Sequence, residues 1–342
     1  MLVQRGAVVD IPVGIIGVGT YFPACIETAA DLVERTGIPE AVLREKMGIR
    51  QRHVAGPEDA VSEMASRAAL RAIQQAGISP EQINVVISHG SEHKDHVVWN
   101  AAGKIQHNVG AVNAFAFEMY ALCAGAPIAM FMAKSMLQAD PALQYGLLAA
   151  GSRENDLINF QNQRSRFMFN FGAGAGAMVL ARGVERNVIL GASAFTDGSL
   201  SETVMLTTDM IGDGPECLGD LRGRLDVRQA DYMAERLGQT SLPNFVRVIR
   251  EAAEKSGATL ADVKFLGLVH MKKSFYLEIL EAVGLTPEQS VYLEDYGHVQ
   301  SVDQALALQL GLEQGKIRPG DLVVLAGAGT GYTWSAVAVR WG

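Results

Sequence analysis

The sequence predicts an α/β protein made of two similar halves, each a mostly parallel sheet covered by helices. Helical and strand-like patterns alternate along the 342 residues, and two helix–strand units of the first half recur in the second. With 49% hydrophobic and 19% charged residues, the composition is typical of a densely packed globular protein. No polar linker separates the halves, so we expect one body divided into residues 1–185 and 186–342.

The first repeated unit combines an amphipathic helical pattern, Ser62–Ala76, with the strand-like run Val85–Ile87. About 180 residues further on, the helical pattern Phe245–Ser256 is followed by the apolar run Phe265–Val269, which ends at His270. This repetition predicts equivalent helix–strand units in the two halves.

The second repeated unit starts with the helical stretch Ala124–Leu137 and continues into the strand Gly146–Ala150. Its counterpart runs from the helical stretch Ser301–Gln314 to the strand Asp321–Ala326. Both repeats preserve the order helix then strand, which is the order of an α/β fold.

Three residues at the ends of these elements are candidates for catalysis. Cys123 directly precedes a helix whose start is marked by Pro127, and the positive end of a helix dipole stabilises a thiolate. The alternative is a small buried core residue. His298 occupies in the second half the place of Cys123 in the first, and His270 ends a strand. Together they form a coherent Cys/His/His set.

Charge and hydropathy exclude several classes of protein. A net charge of −8 argues against a nucleic-acid partner, which requires a basic surface.

The sequence also argues against a membrane or secreted protein. The apolar run Ala121–Ala133 stops at Lys134 and is too short for a membrane span. Residues 1–10 do not resemble a signal peptide, so we expect a cytoplasmic protein. The spacing of Cys25, Cys123 and Cys217 suggests neither disulfides nor a metal site.

Five segments in order resemble the β-ketoacyl-acyl-carrier-protein synthase III enzymes of the thiolase superfamily, over the chain from about residue 13 onward. They are Gly48–His53, Leu122–Gly125, Phe171–Ala177, Gly315–Gly320 and Gly331–Trp334. The resemblance implies a five-layered α/β/α/β/α thiolase-like fold and a homodimer. It also implies a Claisen condensation between thioesters of CoA or acyl carrier protein, with no cofactor beyond these substrates.

Carried over by position, the resemblance makes Cys123 the nucleophile that takes the acyl group and His270 its first basic partner. The family's asparagine falls where this chain has His298, and a Cys/His/His set is that of the elongating ketosynthases. A malonyl thioester is the simplest extender. We expect the backbone N–H groups of Cys123 and Thr330 to hold the oxyanion.

The segment from His89 to His96 allows more than one interpretation. Glu92 lies near the position of a catalytic glutamate in hydroxymethylglutaryl-CoA synthases, where it would act as a base without decarboxylation. A solvated polar loop is the alternative. His89, Glu92 and His93 also match the H-x-x-E-H pattern, but a zinc site of that kind requires a helix, and we expect no metal.

Candidate substrate-binding cations are less specific. Lys46, Arg164 and Arg166 lie near positions where the family binds CoA, and Lys272 with Lys273 could dock an acidic carrier protein.

The sequence leaves two further functions open. One is acyl transfer from Cys123 to a hydroxyl, amine or thiol, and the other is a non-catalytic subunit of a heteromeric condensing enzyme.

Overall fold

The computed structural model describes residues 11–207 and 224–342, and Cys217 lies outside them. The strands are β1 (Val13–Tyr21), β2 (Ile26–Thr28), β3 (Gln51–His53), β4 (Val85–Ser88), β5 (Phe115–Glu118), β6 (Tyr145–Ser152), β7 (Gly174–Arg182), β8 (Val188–Thr196), β9 (Val204–Thr207), β10 (Arg224–Val227), β11 (Val263–Leu268), β12 (Leu322–Gly329) and β13 (Thr333–Arg340). The helices are α1 (Ala29–Thr36), α2 (Val61–Ala76), α3 (Ala101–Val109), α4 (Gly125–Ala139), α5 (Ala230–Glu254), α6 (Lys273–Ala282) and α7 (Asp303–Glu313).

The central sheet is mixed, with the strand order β5–β4–β6–β7–β1–β8–β13–β12–β11. β4 is parallel to β5 and β6, and β11 is parallel to β12. β7 and β13, however, are antiparallel to both of their neighbours. The prediction of mostly parallel sheets is therefore wrong. For β13 the reason is local, because the three residues between β12 and β13 allow only an antiparallel hairpin.

The two repeated units occupy matching places in this sheet. The series β4–β6–β7–β1 and the series β11–β12–β13–β8 have the same pattern of parallel and antiparallel pairs. They meet at β1 and β8, which are joined through the pair Gly14 and Val188. On this arrangement we propose the halves 1–185 and 186–342.

Helices cover both faces of each half-sheet and also fill the space between the two. Buried residues of α4 and α7, among them Met130 and Leu306, share one apolar cluster with strands of both halves. α2 and α3 pack on the outer face of the first half-sheet, and α5 and α6 on the outer face of the second. This confirms the α/β/α/β/α layering that the resemblance implies.

The helix that carries the candidate nucleophile lies in the central layer. Cys123 belongs to the 3₁₀ turn Leu122–Ala124, and α4 follows directly, with Pro127 in its first turn as predicted. By length and composition the stretch Leu122–Ala139 could cross a membrane, but half of it is buried inside the protein. Its position between two half-sheets explains its apolar character.

The predicted elements are largely confirmed, with one clear difference in length. The repeated helices correspond to α2, α4, α7 and the last part of α5, and the repeated strands to β4, β6, β11 and β12. α5, however, begins at Ala230, well before the predicted Phe245. It also continues through Pro243. Proline usually ends or kinks a helix, which is why the sequence predicts a helix only after this residue.

Candidate active site

A line of hydrogen-bonding groups starts at Cys123. Its Sγ lies 3.0 Å from Nε2 of His298, and Nδ1 of the same ring lies 2.6 Å from Oδ2 of Asp303. All three residues are buried, and Asp303 is fully so. The side-chain oxygen of Gln300 lies 2.7 Å from the same sulfur. The arrangement is that of a nucleophile, a histidine and a carboxylate in series.

Asp303 is held by the backbone around both histidines. Its Oδ2 accepts from the backbone N–H of His270 at 2.7 Å, and its Oδ1 accepts from that of Val299 at 2.8 Å. Burial lowers the pKa of His298, but the charges of Cys123 and Asp303 outweigh it and hold that pKa well above its usual value. The imidazole of His298 therefore binds a proton more strongly than a free histidine does.

His270 has the opposite character. It is buried, no side chain among the residues that the structure describes hydrogen-bonds to its ring, and the backbone of Gly48 interacts with it. Burial lowers its pKa to about 4, so the ring is neutral at physiological pH and carries one N–H. It faces the same cavity as Cys123 and His298. No described side chain competes for this N–H, so the ring can offer it to a substrate oxygen.

The turn between β12 and β13 lies against the backbone of the nucleophile. A side chain built on Gly329 would come 2.3 Å from the carbonyl oxygen of Ala121 and 3.2 Å from the nitrogen of Cys123. Thr330 follows in this turn and lines the cavity. The nitrogen of Cys123 therefore lies close to the turn that carries Thr330, the other residue predicted to hold the oxyanion.

A cavity of about 990 Å³ opens onto these groups. Most of its lining is apolar and comes from α5, from the start of α6 and from the segments near residues 42–47 and 166–171. Typical representatives are Met233, Leu242 and Phe275. Such a lining suits an apolar chain whose reactive end reaches the sulfur.

The structure separates the five predicted binding cations. Lys46, Arg166 and Lys272 are exposed and line the cavity. Arg164 does not line it, and its guanidinium pairs with Asp226 at 2.7 Å. Lys273 lies over the ring of Tyr292, 5.7 Å from its centre, and is not among the lining residues either. Only the first three are placed to meet a substrate.

The segment that begins at His89 stays outside this site. Glu92 is exposed and does not line the cavity, so the structure does not bring it to Cys123. His89 is buried, its pKa is lowered by burial to about 4, and Nδ1 lies 3.2 Å from Oγ of Ser301. Nε2 of His93 lies 3.5 Å from Asp156. Since residues 89–96 are not helical, these side chains do not share one face.

Comparison with known proteins points in one direction. The model of the family "3-oxoacyl-[acyl-carrier-protein] synthase III" matches residues 117–198, and that of its C-terminal part matches residues 253–341. The β-ketoacyl-[acyl-carrier-protein] synthase III of Symbiobacterium thermophilum is 31% identical over 340 residues, which are 97% of this chain and 98% of the relative. The chain belongs to the synthase III family.

Other relatives agree. The synthase III of Thermosynechococcus vestitus is 29% identical over 95% of this chain and 97% of its own length. The solved structure of 3-oxoacyl-(acyl carrier protein) synthase III from Pseudomonas aeruginosa PAO1 superposes with a TM-score of 0.84 at 24% identity, over 96% of this chain and 98% of that one. This synthase III family member is thus an acyltransferase of the condensing type, and its reaction class is Claisen condensation of acyl thioesters.

Two polar residues of the site were not identified from the sequence. Asp303 lies five residues after His298, at the start of α7, and Gln300 lies between them in a left-handed conformation with φ 55°. In the sequence, the one indication of a role for Asp303 was that it lies five residues after a candidate histidine. The structure adds the turn at Gln300, which brings the carboxylate back to the ring of His298.

Proposed function

We propose that Cys123 takes an acyl group from a thioester and that His298, oriented by Asp303, activates it. The observation that carries this proposal is the line of contacts from Sγ to Nε2 at 3.0 Å and from Nδ1 to Oδ2 at 2.6 Å. The sulfur attacks the thioester carbonyl, and the backbone N–H groups of Cys123 and Thr330 stabilise the oxyanion. The C–S bond to the carrier then breaks, and the leaving thiolate takes the proton of His298.

The second half of the reaction uses a malonyl thioester as extender. Loss of carbon dioxide leaves an enolate, whose oxygen accepts a hydrogen bond from the neutral ring of His270. The enolate carbon attacks the acyl carbonyl, the bond to Sγ breaks, and a 3-oxoacyl thioester leaves while the Cys123 thiolate is restored. A ring with a pKa of about 4 keeps this donor role over the whole physiological range.

Substrates enter through the apolar cavity. We propose thioesters of CoA or of acyl carrier protein, with no further cofactor, and phosphate groups bound by Lys46, Arg166 and Lys272 at the cavity rim. The first two of these lie on segments that also contribute apolar lining residues, such as Met47 and Phe167. A pantetheine arm with an apolar acyl chain fits that combination.

We also propose a cytoplasmic homodimer that forms along β5. This strand is at one end of the central sheet, and large apolar side chains are exposed on and around it. Phe115 is half exposed, and Val97, Val98 and Val112 are more so. An exposed edge strand with apolar neighbours is a natural place for a second copy of the chain to pair.

Two alternatives are less well supported. The complete series Cys123, His298 and Asp303 counts against a non-catalytic subunit. The exposed position of Glu92 counts against a condensation in which a glutamate is the base.

The direct test measures carbon dioxide release from malonyl-CoA with octanoyl-CoA as the acyl donor. We expect release that depends on the donor, and a loss of about 10²–10³ in rate for His270→Ala, the usual effect of removing one oxyanion-type donor.

The matched control is His107→Ala, since His107 is exposed on α3 and lies outside the cavity. It should release carbon dioxide at the wild-type rate. No release from any combination of thioesters, or an equal loss in both variants, would contradict the decarboxylative proposal.

A further inference from the structure

We propose that this enzyme also transfers the acyl group of Cys123 to a hydroxyl or amine on a largely apolar acceptor, with His298 as the general base. This second activity rests on the proposed acyl-Cys123 intermediate. It differs from condensation only in what discharges that intermediate. The role of His298 depends on which of its ring nitrogens carries the proton.

Asp303 decides the position of that proton. Its carboxylate accepts three hydrogen bonds, two from backbone N–H groups and one from Nδ1 of His298 at 2.6 Å. An ionised carboxylate can only accept, so Nδ1 carries the hydrogen. In the neutral ring the lone pair is then on Nε2, the atom that lies 3.0 Å from Sγ of Cys123.

With this tautomer, His298 is better suited to accept a proton as a base than to donate an N–H to an enolate. A group that stabilises an enolate must donate an N–H, which a side-chain amide does at every pH. The neutral ring of His298 offers a lone pair at the reacting sulfur instead, so it accepts a proton from an incoming O–H or N–H group. In condensation the N–H donor is left to His270, whose ring hydrogen-bonds to no described side chain.

The step balances without any further reactant. Nε2 of His298 takes the proton of the acceptor as its oxygen or nitrogen attacks the acyl carbonyl. The tetrahedral oxyanion forms at the backbone N–H groups of Cys123 and Thr330, and the C–S bond then breaks. The products are an ester or amide and a Cys123 thiolate beside a protonated His298, which is the pair that starts the next cycle.

The cavity determines the class of acceptor. It reaches Cys123 and His298 and is lined by apolar and aromatic side chains, including Phe171, Leu242 and Tyr332. Its volume of about 990 Å³ is at the upper end of the range for small-molecule sites. An apolar molecule with one nucleophilic group is the acceptor that such a lining favours.

The test starts from octanoyl-enzyme prepared with octanoyl-CoA and freed of excess donor. It is mixed separately with 1-hexanol, hexylamine and malonyl-CoA, and the products are identified by mass spectrometry. We expect hexyl octanoate or N-hexyloctanamide without carbon dioxide release. If malonyl-CoA alone discharges the enzyme, or if only free octanoic acid appears, the inference is overturned. Failure to form octanoyl-enzyme would instead refute the proposed function.

A variant separates the two activities. In His298→Asn the base is replaced by an amide donor, so the ratio of ester or amide to condensation product should fall at least about 100-fold. His107→Asn is the matched control and should keep the wild-type ratio. An unchanged ratio in a His298→Asn protein with normal thermal unfolding would contradict the base role. Should that variant not fold, the product identities of the wild type still decide.

Discussion

The carboxylate of Asp303 links the two histidines of the site, since one of its oxygens accepts both from the ring of His298 and from the backbone of His270. One residue therefore fixes the tautomer of the His298 ring and holds the backbone of His270. The two rings end with opposite properties: the pKa of His298 is raised by its charged neighbours, while that of His270 is lowered by burial to about 4. Environments that separate two such groups are typical of acid–base sites.

This contrast predicts a pH effect at residue scale. Discharge of octanoyl-enzyme by 1-hexanol needs neutral His298, so its rate should rise with pH and level off above the pKa of that ring. Because the carboxylate raises this pKa, Asp303→Asn should move the rising limb to lower pH. It should also lower the plateau, by up to about 10⁴-fold, because the tautomer is no longer fixed. Stopped-flow discharge rates over pH 5–9 measure both effects.

Asp262→Asn is the matched control, since Asp262 is exposed and only caps a short 3₁₀ turn through Thr259. It should leave the profile in place. An Asp303→Asn profile with the wild-type midpoint would show that the carboxylate does not act on His298.

At the scale of elements, the site depends on turns that follow strands or precede helices. Leu122, just before the nucleophile, and Gln300, just before α7, both have left-handed backbones with φ near 50°. Both sit in 3₁₀ turns that lead into central helices. The β12–β13 turn closes against the first of them, since Gly329 leaves no room for a side chain beside Ala121.

Gly329→Ala should therefore damage catalysis. The added Cβ would lie 2.3 Å from the carbonyl oxygen of Ala121, so the turn must shift away from Cys123. We expect a loss of about 10²–10³ in kcat/KM for condensation, because one oxyanion donor is displaced. In the control Gly103→Ala, the new Cβ meets only Asn100 at 3.7 Å within α3, and a wild-type rate is expected. Equal rates for both variants would refute this role of the turn.

The sequence was sufficient to predict the repeated elements and the places of Cys123, His270 and His298, because helix and strand periodicities are local. It was not sufficient for Asp303, whose role depends on the left-handed turn at Gln300. The sequence also could not show that Arg164 pairs with Asp226 and not with a substrate, because the two residues are 62 positions apart and no spacing predicts that pair. The sequence pattern also could not predict that β7 and β13 run antiparallel to their neighbours, because strand direction depends on how distant segments pair.

At the scale of the whole molecule, the two halves bring complementary chemistry to one place. α4 and α7 lie together in the central layer, and Cys123 and Asp303 are both at helix starts. Two helix N-termini thus face the site, and their positive ends stabilise a thiolate and a carboxylate. The nucleophile comes from the first half and both histidines from the second, so neither half holds the complete site.

The central claim is that Cys123 carries the acyl group, and intact-protein mass spectrometry with octanoyl-CoA tests it most directly. We expect one octanoyl group per chain on the wild type and on Cys25→Ala, whose cysteine is exposed and outside the cavity, and none on Cys123→Ala. Peptide mapping should place the group on the peptide that contains Cys123. An adduct that persists in Cys123→Ala, or that maps to Cys25, would contradict the claim.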